Sequence, residues 1–280
     1  MKKYFMNVPS ENGINVIDTE GAGMEHLGFK KLVLAKGDKY SDNSEGWEMF
    51  LVILGGKCDI KVGDEEFKNI GGRKNVFSGK PYSVYVPPKH DFEISTEDIG
   101  GVEIAFAMAK VNESDIEPYL ITPDEVPDGK WGISNYSRKF HLIAIDDRHP
   151  AVKLMIGETF TPSGNWSTYP PHKHEKDDLP REVFLEEIYY YRVDHPDGWG
   201  VARHYTDDGD INELYLIKDD TIHLIPKGYH TVVAAPGFTV YYLWFLGGNH
   251  RLQAPVVDKT MAFVDLATKM IKNIEDNLSI

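Results

Sequence analysis

Short apolar runs separated by turn-forming residues dominate the chain between residues 28 and 248. Runs rich in Val, Ile, Tyr, Phe and Leu alternate with clusters of Gly, Pro, Asp and Asn, the pattern of many short strands in a sandwich or barrel. The spacing predicts strands over 49–54, 58–62, 83–86, 183–193, 201–205, 213–217, 221–225 and 238–246. Turns are expected at Gly55-Gly56, Gly63-Asp64, Asp207-Asp208-Gly209, Asp219-Asp220 and Pro236-Gly237. Beyond residue 258 the period changes. Met261, Val264, Leu266, Ile271, Ile274 and Leu278 recur at helical spacing, which predicts a C-terminal helix packed on the outside of a barrel.

The order of features repeats along the chain. A strand beginning Trp47-Glu48 is followed by a segment with Pro88 and His90, and a strand with Glu186-Glu187 is followed by one with Pro226, Gly228 and His230. This points to a duplicated module, with halves at 1–125 and 126–280 and a linker or crossover near 117–131. The halves are not equivalent in chemistry. No histidine occurs between His26 and His90, so only Glu48 and His90 hint at a former site in the first half. One site per chain, in the second half, is the expectation.

At 280 residues the chain is long enough for two cores of ordinary size. No window approaches the roughly 18 apolar residues that a membrane span needs. The start, with Lys2 and Lys3 but no apolar stretch behind them, does not read as a signal peptide. The single cysteine, Cys58, excludes an internal disulfide and suits a reducing compartment, so a cytoplasmic location is expected. The formal charge of −14 argues against a nucleic-acid partner. An anionic substrate would need a few local cations working against that field.

The densest chemistry lies between residues 164 and 230. His172 and His174 are one residue apart, which on a strand places both imidazoles on one face. Lys173 alternates away from them, toward solvent. In the strand that follows, Val183, Leu185, Glu187, Tyr189, Tyr191 and Val193 share a face that is apolar or aromatic apart from one carboxylate. A carboxylate there is costly unless paired or metal-bound. Glu187 is therefore the predicted ligand, and Glu186 is assigned to Arg192 or solvent. Pro226 and Gly228 form a turn that aims His230 inward. Three imidazoles and one carboxylate suit one divalent ion: Zn²⁺, Mn²⁺, Fe²⁺, Co²⁺ or Ni²⁺.

The stretches NWSTYPPHKH (165–174), LEEIYYYR (185–192), YTDD (205–208), PKGYHTVVAAPGF (226–238) and YYLWFLGG (241–248), with 72–88 in the first half, resemble the 5-deoxy-glucuronate isomerases of bacterial myo-inositol catabolism. The resemblance implies an all-β bicupin, with two cupin-like barrel or jelly-roll halves and a C-terminal helix. It also implies an aldose–ketose isomerisation of 5-deoxy-D-glucuronate to 5-dehydro-2-deoxy-D-gluconate. The family's ligand pattern falls on His172, His174, Glu187 and His230. One spacing departs from the general cupin pattern: a single residue, Tyr229, separates Gly228 from His230.

Such a reaction needs a base, and Glu213, Tyr205 and Tyr191 are its candidates. Arg203 is the candidate for gripping the carboxylate of a uronate-type substrate, because guanidinium binds carboxylate through two parallel hydrogen bonds. Exposed sheet edges make a homo-oligomer the expected assembly. The rival readings are a bicupin dioxygenase and a non-catalytic cupin that binds a sugar acid.

Overall fold

The computed structural model describes residues 2–278, with side chains as far as 272. Every strand pairing among the described residues is antiparallel, and they form three sheets. One comprises nine strands lying between residues 13 and 121. A seven-stranded sheet runs Phe5–Asn7, Thr221–Ile225, Leu185–Val193, Val240–Gly248, Met155–Thr161, Arg138–Ala144 and Asp128–Trp131. A five-stranded sheet runs Asn212–Ile217, Gly200–Tyr205, Tyr229–Ala234, Trp166–Lys173 and Val256–Val257. No helix is long and apolar enough to cross a membrane among the described residues.

Alternation along the central strands sorts side chains into three cores. In Leu185–Val193, the odd residues Leu185, Tyr189, Tyr191 and Val193 join Ala202, Val232, Tyr242 and Trp244 inside the second half. The even residues Ile188 and Tyr190 point the other way, into a core shared with the first half. Trp47–Val62 behaves likewise: Met49, Leu51 and Ile53 fill the first half, while Phe50, Val52 and Leu54 enter the shared core. The central strands are thus buried on both faces, which is why their sequence reads as continuous apolar runs.

Charged groups are built into the shared layer. Glu158 accepts from Arg73 at 2.7 Å and from the Tyr241 hydroxyl at 2.9 Å, with His141 Nδ1 also at 2.9 Å. Lys31, wholly buried, pairs with Asp220 at 2.6 Å. Glu186 does not pair with Arg192, contrary to expectation. It accepts backbone N–H groups from the first half, while Arg192 binds Glu103 and Asp219.

Other expectations need correcting. Gly55-Gly56 is no turn; the strand Trp47–Val62 passes through it and changes partners there. Gly56 takes φ +85°, and a Cβ would lie 2.1 Å from the Gly101 carbonyl, so only glycine lets the sheet fold over at this corner. The segment 117–131 crosses from one sheet to the other as expected and adds a short strand to each, Tyr119–Ile121 to the first-half sheet and Asp128–Trp131 to the seven-stranded one. Strand Phe5–Asn7 pairs with Thr221–Ile225, and Phe5 stacks on Tyr215 at 5.0 Å. The start of the chain is therefore an edge of the second-half sheet. The tail forms a 3₁₀ turn at Lys259–Met261 and a helix at Ala262–Leu278. It touches the barrel through Thr268 and the Tyr136 hydroxyl, and Leu266 faces solvent. The side chains of Ile274 and Leu278 lie outside the described residues.

Candidate metal centre and its cavity

Two sheets supply the cluster. In the five-stranded sheet, His172 stands directly opposite His230. Pro170 and Pro171 cannot donate to a ladder, and regular pairing breaks between Ser167 and His172. Within that break Thr168 takes φ +53°, a rare conformation for a β-branched residue. His174 follows the end of its strand. Glu187 comes from the seven-stranded sheet, on the inward face that alternation assigned to it.

One ligand atom from each of His172, His174, Glu187 and His230 lies within 4.8 Å of the others, and no other such group occurs among the described residues. Glu187 Oε2 is 3.0 Å from Nε2 of both His174 and His230. His174 Nδ1 engages the Leu185 carbonyl, which turns its Nε2 toward the cluster. His230 Nε2 is buried without a hydrogen-bond partner. A buried lone pair facing two more imidazoles and a carboxylate is the arrangement a divalent ion completes, so the donor set fits a metal.

The electrostatics agree. Burial, reinforced by His230 and His174, pulls His172 well below the usual histidine range. Burial pushes Glu187 up, but His230 and His174 outweigh it and hold the carboxyl below its ordinary value. For His174, burial acts downward and Glu187 more strongly upward. Glu187 is thus ionised at neutral pH, as a metal ligand must be.

The cluster opens into a cavity of about 540 Å³, counting its mouth, walled by Trp131, Tyr189, Tyr242 and Trp244. Polar groups at its surface include Arg138 and Thr168. The Tyr242 hydroxyl meets Ser167 at 2.5 Å and Thr168 at 3.2 Å, and Thr168 lies 3.4 Å from the Tyr189 hydroxyl. Burial raises the pKa of both tyrosines, so they hold their protons.

The other predicted residues are not gathered here. Tyr191 faces inward but lies in the packed core, its hydroxyl without a partner, and does not line the cavity. Gly200, Ala202 and His204 are the buried residues of Gly200–Tyr205, which leaves Arg203 and Tyr205 on the outer face. Tyr205 donates to Asp258, and Arg203 lies over the Tyr205 ring at 4.0 Å. Glu213 is half-exposed beside Lys2, 3.7 Å away. The assignments of Arg203, Tyr205 and Glu213 to the site are therefore corrected, because the strand carrying the first two has the opposite phase. Lys173 is also buried, held by Glu175 and Asp207. Arg203→Ala and Glu213→Gln are expected to leave kcat and KM within about twofold of the parent, as ordinary surface changes do; a tenfold loss in either would return that residue to the site.

Residues 4–264 match the KduI/IolB family. A protein of Geobacillus kaustophilus named 5-deoxy-glucuronate isomerase is 41% identical over 245 residues, 87% of each chain. The Bacillus subtilis protein of the same name is 34% identical over 244 residues, covering 86% of this chain and 89% of the other. Among solved structures, an IolB-like protein from Salmonella typhimurium superposes with a TM-score of 0.88 at 30% identity, covering 94% of this chain and 99% of that one. A mutant of the Bacillus subtilis oxalate decarboxylase OxdC superposes at 0.63 with 12% identity, over 91% of this chain and 79% of that one, a likeness of fold alone.

Proposed function

The chain belongs to the KduI/IolB family, and from that premise we propose that its cavity isomerises 5-deoxy-D-glucuronate to 5-dehydro-2-deoxy-D-gluconate with one divalent ion held by His172, His174, Glu187 and His230. The enzyme is an isomerase, as its relatives are named. The observation that carries the reading is identity with those isomerases along most of the chain, in a protein whose three-histidine, one-carboxylate cluster faces a single cavity.

Converting the aldose to the ketose removes a proton from C2 and delivers one to C1. The intermediate with least charge separation is an enediol, whose oxygens are anionic as it forms. When bound, the ion supplies a positive partner for those oxygens. The chain's own residues hold and orient the substrate around it. The hydroxyls of Tyr189, Tyr242, Thr168 and Ser167 form a connected set beside the cluster. Raised in pKa, the two tyrosines donate hydrogen bonds to developing oxyanions rather than remove carbon-bound protons. Trp131 and Trp244 keep bulk water off one side of the cavity.

The same proposal includes a cytoplasmic location, supported by the single buried cysteine. It also includes self-association, supported by the edge strand Asn212–Ile217, which exposes Leu214 and Leu216.

Proton NMR of 5-deoxy-D-glucuronate with the purified protein in D₂O tests the reaction. The ketose is expected to accumulate, with deuterium in the product, with or without O₂, and to stop accumulating when a chelator is added. An unchanged aldose at full metal loading would overturn the substrate assignment. Turnover that consumes O₂ would replace isomerisation with oxidation.

A further inference from the structure

Arg138 is a half-buried arginine without an anion, and it lines the cavity. Arg73 pairs with Glu158, and Arg192 pairs with Glu103 and Asp219. Arg251 donates to the carbonyls of Leu154, Asp146 and His149. Among the described residues no carboxylate lies within ion-pair distance of Arg138. Its Nε is shielded from solvent with no partner, and its one side-chain hydrogen bond among the described residues is a long 3.5 Å contact from Nη1 to the Tyr136 carbonyl. Burial pulls its pKa down, with only Tyr242 and Tyr189 acting the other way. A guanidinium stays charged even so, and leaving it half-buried with a shielded, unpartnered Nε is costly.

The cavity explains that cost. Arg138 shares it with His172, His174 and Glu187, and Glu187 is its one carboxylate, already committed to two histidines. The guanidinium lies over the Trp131 ring, 5.6 Å from its centroid. Trp131 itself is stacked on Phe140 at 4.2 Å. This cation–π contact holds the guanidinium beside the ring, and a guanidinium binds a carboxylate through two parallel N–H groups. The group that completes this site must arrive with the ligand and carry negative charge.

We propose that Arg138 binds the carboxylate of an open-chain sugar acid, whose carbonyl end lies at the His172/His174/Glu187/His230 cluster. This rests on the functional reading above and deepens it by naming what selects a uronate over a neutral sugar. Arg138 holds the substrate at both ends of the cavity, in concert with the cluster, so that C1 and C2 face the tyrosine hydroxyls. A neutral sugar would leave the guanidinium unpaired and lose the contact that orients it.

The test separates binding from turnover. Borohydride reduction of 5-deoxy-D-glucuronate at C1 gives an acid that cannot isomerise, and reduction of its carboxylate as well gives a neutral alditol. Calorimetric titration of both into metal-loaded wild type, Arg138→Lys and Arg138→Met is the primary measurement. Arg138→Met is expected to weaken the acid by roughly tenfold to a hundredfold, to leave the neutral alditol within about twofold, and to leave metal content unchanged. Arg138→Lys is expected to recover part of the loss, which serves if the methionine variant does not fold. Equal weakening of acid and alditol, or undiminished binding of the acid, would overturn the proposal. Arg138-dependent binding of the acid without turnover of the aldose would defeat the isomerase reading while leaving Arg138 in place. Normal KM for the aldose in a folded Arg138 variant would do the reverse.

Discussion

Glu186→Ala is expected to destabilise the protein by about 3–5 kcal/mol, the range for breaking a buried charged contact, although Glu186 touches neither the cavity nor the cluster. Its carboxylate is almost wholly buried and accepts the backbone N–H groups of Glu25, His26 and Leu27, at 2.5, 2.9 and 3.0 Å. Those residues lead into the first-half strand Leu27–Leu34. The first half returns the same device. Glu48, equally buried, accepts from Val152, Lys153 and Leu154 at 2.8, 2.6 and 2.8 Å, just ahead of the strand Met155–Thr161. The register confirms the equivalence, with Glu48 opposite Ala109 and Glu186 opposite Gly247.

Each half thus clamps the other by gripping three consecutive N–H groups with one carboxylate. Removing it leaves three N–H groups without their acceptor, one buried and two part-buried in each half, and each buried orphan costs about 1–3 kcal/mol. Glutamine is no remedy, because its NH₂ would face N–H donors. Urea unfolding of Glu186→Ala, Glu48→Ala and the double variant, with metal content held constant, checks the expectation. Losses that add would mean two independent clamps, whereas a loss below about 1 kcal/mol would mean that water satisfies the freed amides.

This clamp was not legible in the sequence, though the repeat that contains it was. Glu48 reads as the relic of a ligand when aligned with Glu187, but the structure aligns it with Glu186. The error is one residue, and in a strand one residue exchanges the two faces. Strand 185–193 could be phased because its inward face carries a single carboxylate among aromatic and aliphatic groups. Strand 200–205 could not, since Val201, Arg203 and Tyr205 look as acceptable inside a barrel as Ala202 and His204 do. The two small or paired residues won the interior because His204 finds partners there, its Nε2 donating to the Lys227 carbonyl and its Nδ1 accepting from His223 Nε2. Arg138 was invisible for a different reason. It sits in no motif, and only three dimensions show a guanidinium without a carboxylate partner lining the cavity beside the cluster. Gly55-Gly56 reads as a turn because a sharp sheet corner and a turn both need positive φ.

Glu187→Gln is expected to empty the centre, lowering bound metal to below about a tenth of an ion per chain and turnover by about a hundredfold to a thousandfold or more. Glutamine keeps the size of the side chain but removes the only negative charge that the cluster offers a divalent ion. It also puts an NH₂ or a neutral carbonyl 3.0 Å from the imidazoles that Glu187 now aligns. His172→Ala removes a ligand of another kind, a half-buried imidazole at the cavity side, and should likewise cost both metal and turnover. The neighbouring carboxylate provides the control: Glu186→Gln alters stability through the clamp and should retain its metal. A reading independent of activity follows from mass action, because an ion that binds only the folded state raises its stability. Chelation should therefore lower the melting temperature of the wild type and of Glu186→Gln, and leave that of Glu187→Gln unmoved. Full metal occupancy in Glu187→Gln would take the carboxylate out of the ligand set and leave three histidines to hold the ion alone.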